Sequence, residues 1–112
     1  MAKVLSMGAG DVIIKEGDIS DTIYLLQQGR LNVFKKDGAK NVKIGTIESG
    51  ELVGTMAFIS KKPRGATVIA SVPSELVVVS RKSFKESIDQ LPFWLQAFIK
   101  SLMRRIEEHN KL

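Results

Sequence analysis

The sequence contains no cysteine, which excludes a disulfide framework, a zinc–thiolate site and a thiol nucleophile, and is compatible with a reducing compartment. It has a single histidine, His109, so no histidine pair at metal-ligand spacing exists and no metal is expected. It also lacks the Ser/His/Asp ordering of a hydrolase and a Gly-Lys-Ser/Thr phosphate loop. The acidic pairs Glu16/Asp18 and Glu107/Glu108 suit turns and solvated helix ends better than acid–base machinery. An enzyme is therefore not expected. No stretch approaches the roughly 18 apolar residues of a membrane span, and the N-terminal MAKVLSMGAGD has no continuous apolar core of a secretion signal. The expected location is the cytoplasm, with no membrane contact.

What is present suits one globular domain over residues 1–112. Hydrophobic residues make up 44% and charged residues 26% of the chain, spread along its length rather than segregated. The net charge of +5 falls in small groups, at Lys35 and Lys36, Lys61 to Arg64, Arg81 to Lys85, and Arg104 and Arg105. Dispersed groups of this kind read as solvated surface rather than as a nucleic-acid footprint, and no recognition helix accompanies them.

The first 80 residues read as short strands, among them Val12 to Lys15, Thr22 to Gln27, Leu31 to Lys35, Lys43 to Ile47 and Leu76 to Ser80. Turn residues at Gly17, Gly29, Gly38 and Gly50 separate them at the spacing of antiparallel β-structure, which predicts a β-sandwich or roll with LVVVS in its core. After Ser80 the period changes. Ser83 and Glu86 have the spacing of a capping box, starting a short helix that must end before Pro92. Phe93 to Asn110 gives the strongest helical pattern: Leu95, Ile99, Leu102, Ile106 and His109 recur at steps of 4, 3, 4 and 3 on one seam. Phe98 and Met103 widen its apolar face, so the helix needs a cover, either its own β-domain or a second copy of the chain. His109, near the chain end, reads as solvated.

Residues 50 to 70, GELVGTMAFISKKPRGATVIA, combine two glycine turns, a short apolar helical segment and Arg64 on a Pro-Arg-Gly-Ala-Thr loop. Backbone N–H groups at a helix start and a planar guanidinium together suit a small anion, with phosphate as the candidate. The alternative for Arg64 is a surface ion pair with a nearby carboxylate.

In these residues the chain resembles the cyclic nucleotide-binding domains of bacterial catabolite activator proteins, cyclic-AMP-dependent kinase regulatory subunits and gated channels. The resemblance rests on Gly10 to Asp18, on Ile23 to Val33, and on Gly50 to Gly54 followed by Pro63 to Ala70, and runs nearly end to end. It implies a mainly β fold with C-terminal α: an antiparallel, jelly-roll-like β-roll over about 1–80, a short cassette helix over the ligand, and C-terminal helices over about 81–112 that move or pair on binding. It implies Arg64 as the phosphate-binding arginine, backbone groups near Gly54, Thr55, Met56 and Ala57 as its partners, and Gly65, Ala66 and Thr67 as neighbouring ligand contacts. Leu95, Ile99, Leu102 and Ile106 would form the dimer helix.

Two departures stand out. Where the family has Gly-Glu, with the carboxylate on the ribose 2′-hydroxyl, this chain has Gly54-Thr55; Gly65 stands where relatives often carry serine, threonine or alanine. A hydrogen bond to a charged group contributes about 1.5 to 3 kcal/mol, so the missing glutamate implies affinity lower by about ten- to 150-fold. The expectation is a stand-alone regulatory module that binds cAMP, cGMP or a related phosphate weakly, needs no cofactor, and signals through its C-terminal helix as a homodimer or to a protein effector. The alternative is a ligand-free scaffold that keeps the fold. Relatives that bind DNA carry a helix-turn-helix after the long helix and this chain ends at Leu112, so direct DNA binding is not expected.

Overall fold

A computed structural model describes the backbone of residues 3–110; the side chain of His109 lies outside the described residues. The order is β1 (Lys3–Met7), β2 (Val12–Ile14), β3 (Ile23–Gln28), β4 (Arg30–Asp37), β5 (Lys40–Glu48), β6 (Leu52–Val53), α1 (Thr55–Ser60), β7 (Thr67–Ala70), β8 (Ser74–Val79), α2 (Arg81–Asp89) and α3 (Phe93–Asn110). The strands form two four-stranded antiparallel sheets, β1-β8-β3-β6 and β2-β7-β4-β5. Their crossing order, with β3 and β4 consecutive but in different sheets, makes the β-roll.

The corner between β3 and β4 is made by Gly29, whose φ is +111°. A Cβ there would stand 2.8 Å from the Ser74 backbone, so both the conformation and the space demand glycine. Inward residues of both sheets meet in one core around Leu26, Leu31 and Leu76, each fully buried, with Ile14, Val53, Val68 and Ala70. Of the LVVVS run only Leu76 reaches full burial.

The helical half differs from expectation in one start site. α2 begins at Arg81, with Ser80 as its N-cap: the Ser80 Oγ accepts from the Ser83 N–H at 3.1 Å. Ser83 is thus the third helical residue rather than the cap. Glu86 faces Lys82 at 3.9 Å instead of reaching back to a cap, as expected for i,i+4 partners on a helix.

α3 has the predicted bounds, and its seam is divided. Leu95 and Ile99 are half-buried, and Ile99 turns with Met103 into an apolar cleft that α1 and α2 close with Phe58 and Phe84. Leu102 and Ile106 also line that cleft yet stay 46% and 38% exposed, while Phe93, Trp94 and Phe98 are 85%, 70% and 57% exposed. The helix docks inward on its own domain and still leaves an aromatic face in water.

Candidate functional site

The chain leaves β6 at Val53 and turns into α1 through Gly54, whose φ of 84° is left-handed and which offers the helix no side-chain cap. α1 carries no acidic residue in its first turn, so the partial positive charge of the helix start is not neutralised from within. Its buried residues, Ala57 and Phe58, press the short helix onto the roll. Lys61 closes it in the left-handed region, its N–H donating to the Ala57 carbonyl at 2.9 Å.

The return loop brings Arg64 under this helix. Its main chain is anchored to the loop between β2 and β3: its N–H donates to the Asp18 carbonyl at 2.8 Å, and its carbonyl accepts from the Gly17 N–H at 2.8 Å. Arg64 is 4% exposed, and its guanidinium donates through Nη1 to the Gly54 carbonyl at 3.0 Å and through Nη2 to the Thr22 carbonyl at 2.6 Å. Among the described residues it makes no ion pair. The surface-pair alternative is thereby corrected: Arg64 is a buried cation held by carbonyl dipoles, with no carboxylate to balance it. A guanidinium has five N–H donors, and a buried charge without a counter-charge is costly, so the site is suited to receive an anion.

Beside the guanidinium lies a cavity of about 260 Å³. Seven of the eight predicted ligand contacts line it: Gly54, Thr55, Met56, Ala57, Arg64, Gly65 and Ala66. The eighth, Thr67, does not. Strand alternation in β7 turns Val68 toward the cavity and Thr67 away, where the Thr67 Oγ1 accepts from the Glu16 N–H at 2.9 Å. The remaining wall is aliphatic, from Ile14, Val33, Ile47, Leu52, Val53 and Val68, none of them among the site residues expected from the sequence. Period-2 alternation would have suggested Val33 and Val68; nothing in the sequence points to the Thr22 and Gly54 carbonyls. Arg64 is the lining's only charged side chain and Thr55 its only hydroxyl, so the chemistry available is capture of one negative charge at the rim of an apolar hollow.

Among the described residues no acidic or histidine cluster could hold a metal ion, and no helix is long and apolar enough to cross a membrane.

Fold and cavity together give a β-roll domain with one buried guanidinium on an otherwise apolar cavity. Residues 4–90 match the sequence profile of the cyclic nucleotide-binding domain. The chain is 33% identical over 103 residues to a cAMP-dependent protein kinase regulatory subunit of Aspergillus fumigatus, covering 92% of this chain and 22% of that protein. Among solved structures it is similar to the catabolite activator protein of Thermus thermophilus, with a TM-score of 0.78, 24% identity and coverage of 97% and 52% of the two chains. It is also similar to a cAMP-bound PfPKA-R, with a TM-score of 0.71, 28% identity and coverage of 76% and 30%. The chain belongs to the cyclic nucleotide-binding domain family. It spans about a fifth of the length of the kinase regulatory subunit it matches.

Proposed function

We propose that residues 1–112 act as one non-catalytic regulatory module in the cytoplasm. It binds a cyclic nucleotide such as cAMP or cGMP, or a related phosphate ester, weakly, and passes the event to α3. The observation that carries this reading is Arg64: a buried guanidinium without a carboxylate partner, at the wall of a cavity that the cassette turn also lines. Binding of cAMP by the related PfPKA-R supports the choice of ligand.

The same turn supports a route to α3. Thr55 lines the anion cavity on one side and, on the other, the apolar cleft that contains Ile99, Leu102, Met103 and Ile106 of α3. A ligand that shifts α1 therefore changes what α3 packs against. The missing carboxylate at position 55 accounts for the weakness, and it supplies the test. Thr55→Glu is expected to strengthen cAMP binding by about ten- to 150-fold and to leave inorganic phosphate nearly unchanged, as read by titration calorimetry. Unchanged or weaker cAMP binding by a folded variant rejects the role given to Thr55.

The output surface is the uncovered side of α3. Phe93, Trp94 and Phe98 are 85%, 70% and 57% exposed, and Trp94, Phe98 and Leu102 follow one another at i,i+4. An aromatic face of that kind in water is costly, and we assign it to a second copy of the chain. The contact proposed here is led by Trp94, Phe98 and Leu102, with Ile106 at its edge and Leu95 and Ile99 behind it. Phe98→Glu is expected to convert the dimer to monomer in sedimentation velocity without loss of helical circular dichroism. A wild-type chain that sediments as a monomer at all concentrations tested contradicts the assignment.

A further inference from the structure

Arg81 is the first residue of α2, placed beside the entry to β3 because β8, which precedes it, pairs with β3 through Val79 and Ile23. From there its side chain holds two other segments. Nε donates to Oδ2 of Asp21 at 3.2 Å, and Nη2 donates to the Phe58 carbonyl of α1. The guanidinium also lies over the Phe58 ring, 4.3 Å from its centroid, and that ring meets Phe84 of α2 edge-on at 4.8 Å.

The Phe58 carbonyl lies in the last turn of α1, past the point where a following helical N–H could reach it, so Arg81 caps the far end of the helix whose near end Arg64 holds at Gly54. The two arginines also hold consecutive residues of one loop, Arg64 at the Thr22 carbonyl and Arg81 at the Asp21 carboxylate. The contacts close a ring: Arg64 to Thr22, Asp21 to Arg81, Arg81 to Phe58, and back along α1 to Gly54 and Arg64. No rotation of α1 against the loop is open to one arginine without disturbing the other.

The geometry points to Arg81 as a positioning residue for the anion cleft, an inference that rests on the receptor reading above. It does not line that cleft. It fixes the register between α1 and the 17–22 loop, and that register decides whether the remaining donors of Arg64 meet an anion. A lysine cannot replace it, because a single ammonium lacks the planar fork that serves Asp21 and the Phe58 carbonyl together.

The test is titration of the full chain with cAMP, alongside thermal unfolding. Arg81→Met and Asp21→Asn are each expected to weaken cAMP binding about fivefold or more, with the double variant little worse than Arg81→Met alone, since that substitution already removes the link to Asp21. Arg81→Lys is expected to recover thermal stability without recovering affinity. A merely structural tether would lower the melting temperature and leave affinity alone, so folded Arg81→Met and Asp21→Asn chains that bind like wild type overturn the inference. Should Arg81→Met not fold, Asp21→Asn decides, because that carboxylate is 61% exposed. A wild-type chain that does not bind cAMP at all removes the receptor reading and this inference with it, an outcome distinct from unchanged variants.

Discussion

Arg64→Ala is expected to abolish measurable binding of cAMP and of inorganic phosphate. Charge-assisted hydrogen bonds contribute about 1.5 to 3 kcal/mol each, and a bidentate guanidinium–phosphate contact makes two, so the loss is at least about 150-fold in affinity. The substitution also removes the Arg64 donor from the Thr22 carbonyl, at about 1 to 3 kcal/mol if left unsatisfied, while the Gly54 carbonyl keeps the Phe58 N–H at 3.3 Å, so a fall in melting temperature should accompany it. Arg64→Lys separates the two effects. It keeps a positive charge but reaches one carbonyl at a time, and is expected to regain much of the stability while binding remains weakened by at least tenfold. Calorimetry and circular dichroism on the three chains check this. An Arg64→Ala chain that folds and binds like wild type would leave the cavity without a purpose.

Gly54→Ala comes next in size. At φ +84° an alanine costs about 1 to 2 kcal/mol of backbone strain, and its Cβ would meet Nη1 of Arg64, with Ile14 Cδ1 at 3.3 Å. The end of an arginine can usually step aside. Here it is buried and tied to two carbonyls, so stepping aside gives up at least one hydrogen bond worth about 1 kcal/mol. The sum is about 2 to 3 kcal/mol, or roughly 10 °C or more in melting temperature for a domain of this size. Binding should fall together with stability, since the displaced group is the anion's partner. Wild-type melting and wild-type affinity in this variant would show that Arg64 is not pinned as described.

Elements whose identity depends on their own residues were legible in the sequence, and those that depend on distant neighbours were not. The period of Phe93 to Asn110 gives α3 its bounds because 18 residues repeat one pattern. β1 and the two-residue β6 carry too little alternation to stand out, and exist because β8 and β3 offer them open edges. The same division holds at the site. Gly54 and Arg64 are visible because a left-handed turn and a lone guanidinium on a Pro-Arg-Gly loop are local facts. The Thr22 carbonyl, 42 positions from Arg64, becomes a partner only once the roll closes. Thr67 belongs to the cassette that the resemblance rests on, and the pleat of β7 turns its side chain away from the cavity. In α2 the capping-box spacing points to Ser83, and the end of β8 at Val79 places the cap at Ser80 instead.

The central claim is that a negatively charged phosphate enters beside Arg64, and amide chemical-shift mapping of the ¹⁵N-labelled chain during titration with cAMP tests it most directly. The expected result is a saturable shift of the Gly54 to Ala57 and Gly65 to Ala66 amides together with the Arg64 side-chain signals, followed by smaller shifts in α3. Saturable shifts confined to the basic surface around Lys61, Lys62 and Arg81, or no shifts at millimolar ligand, would contradict it.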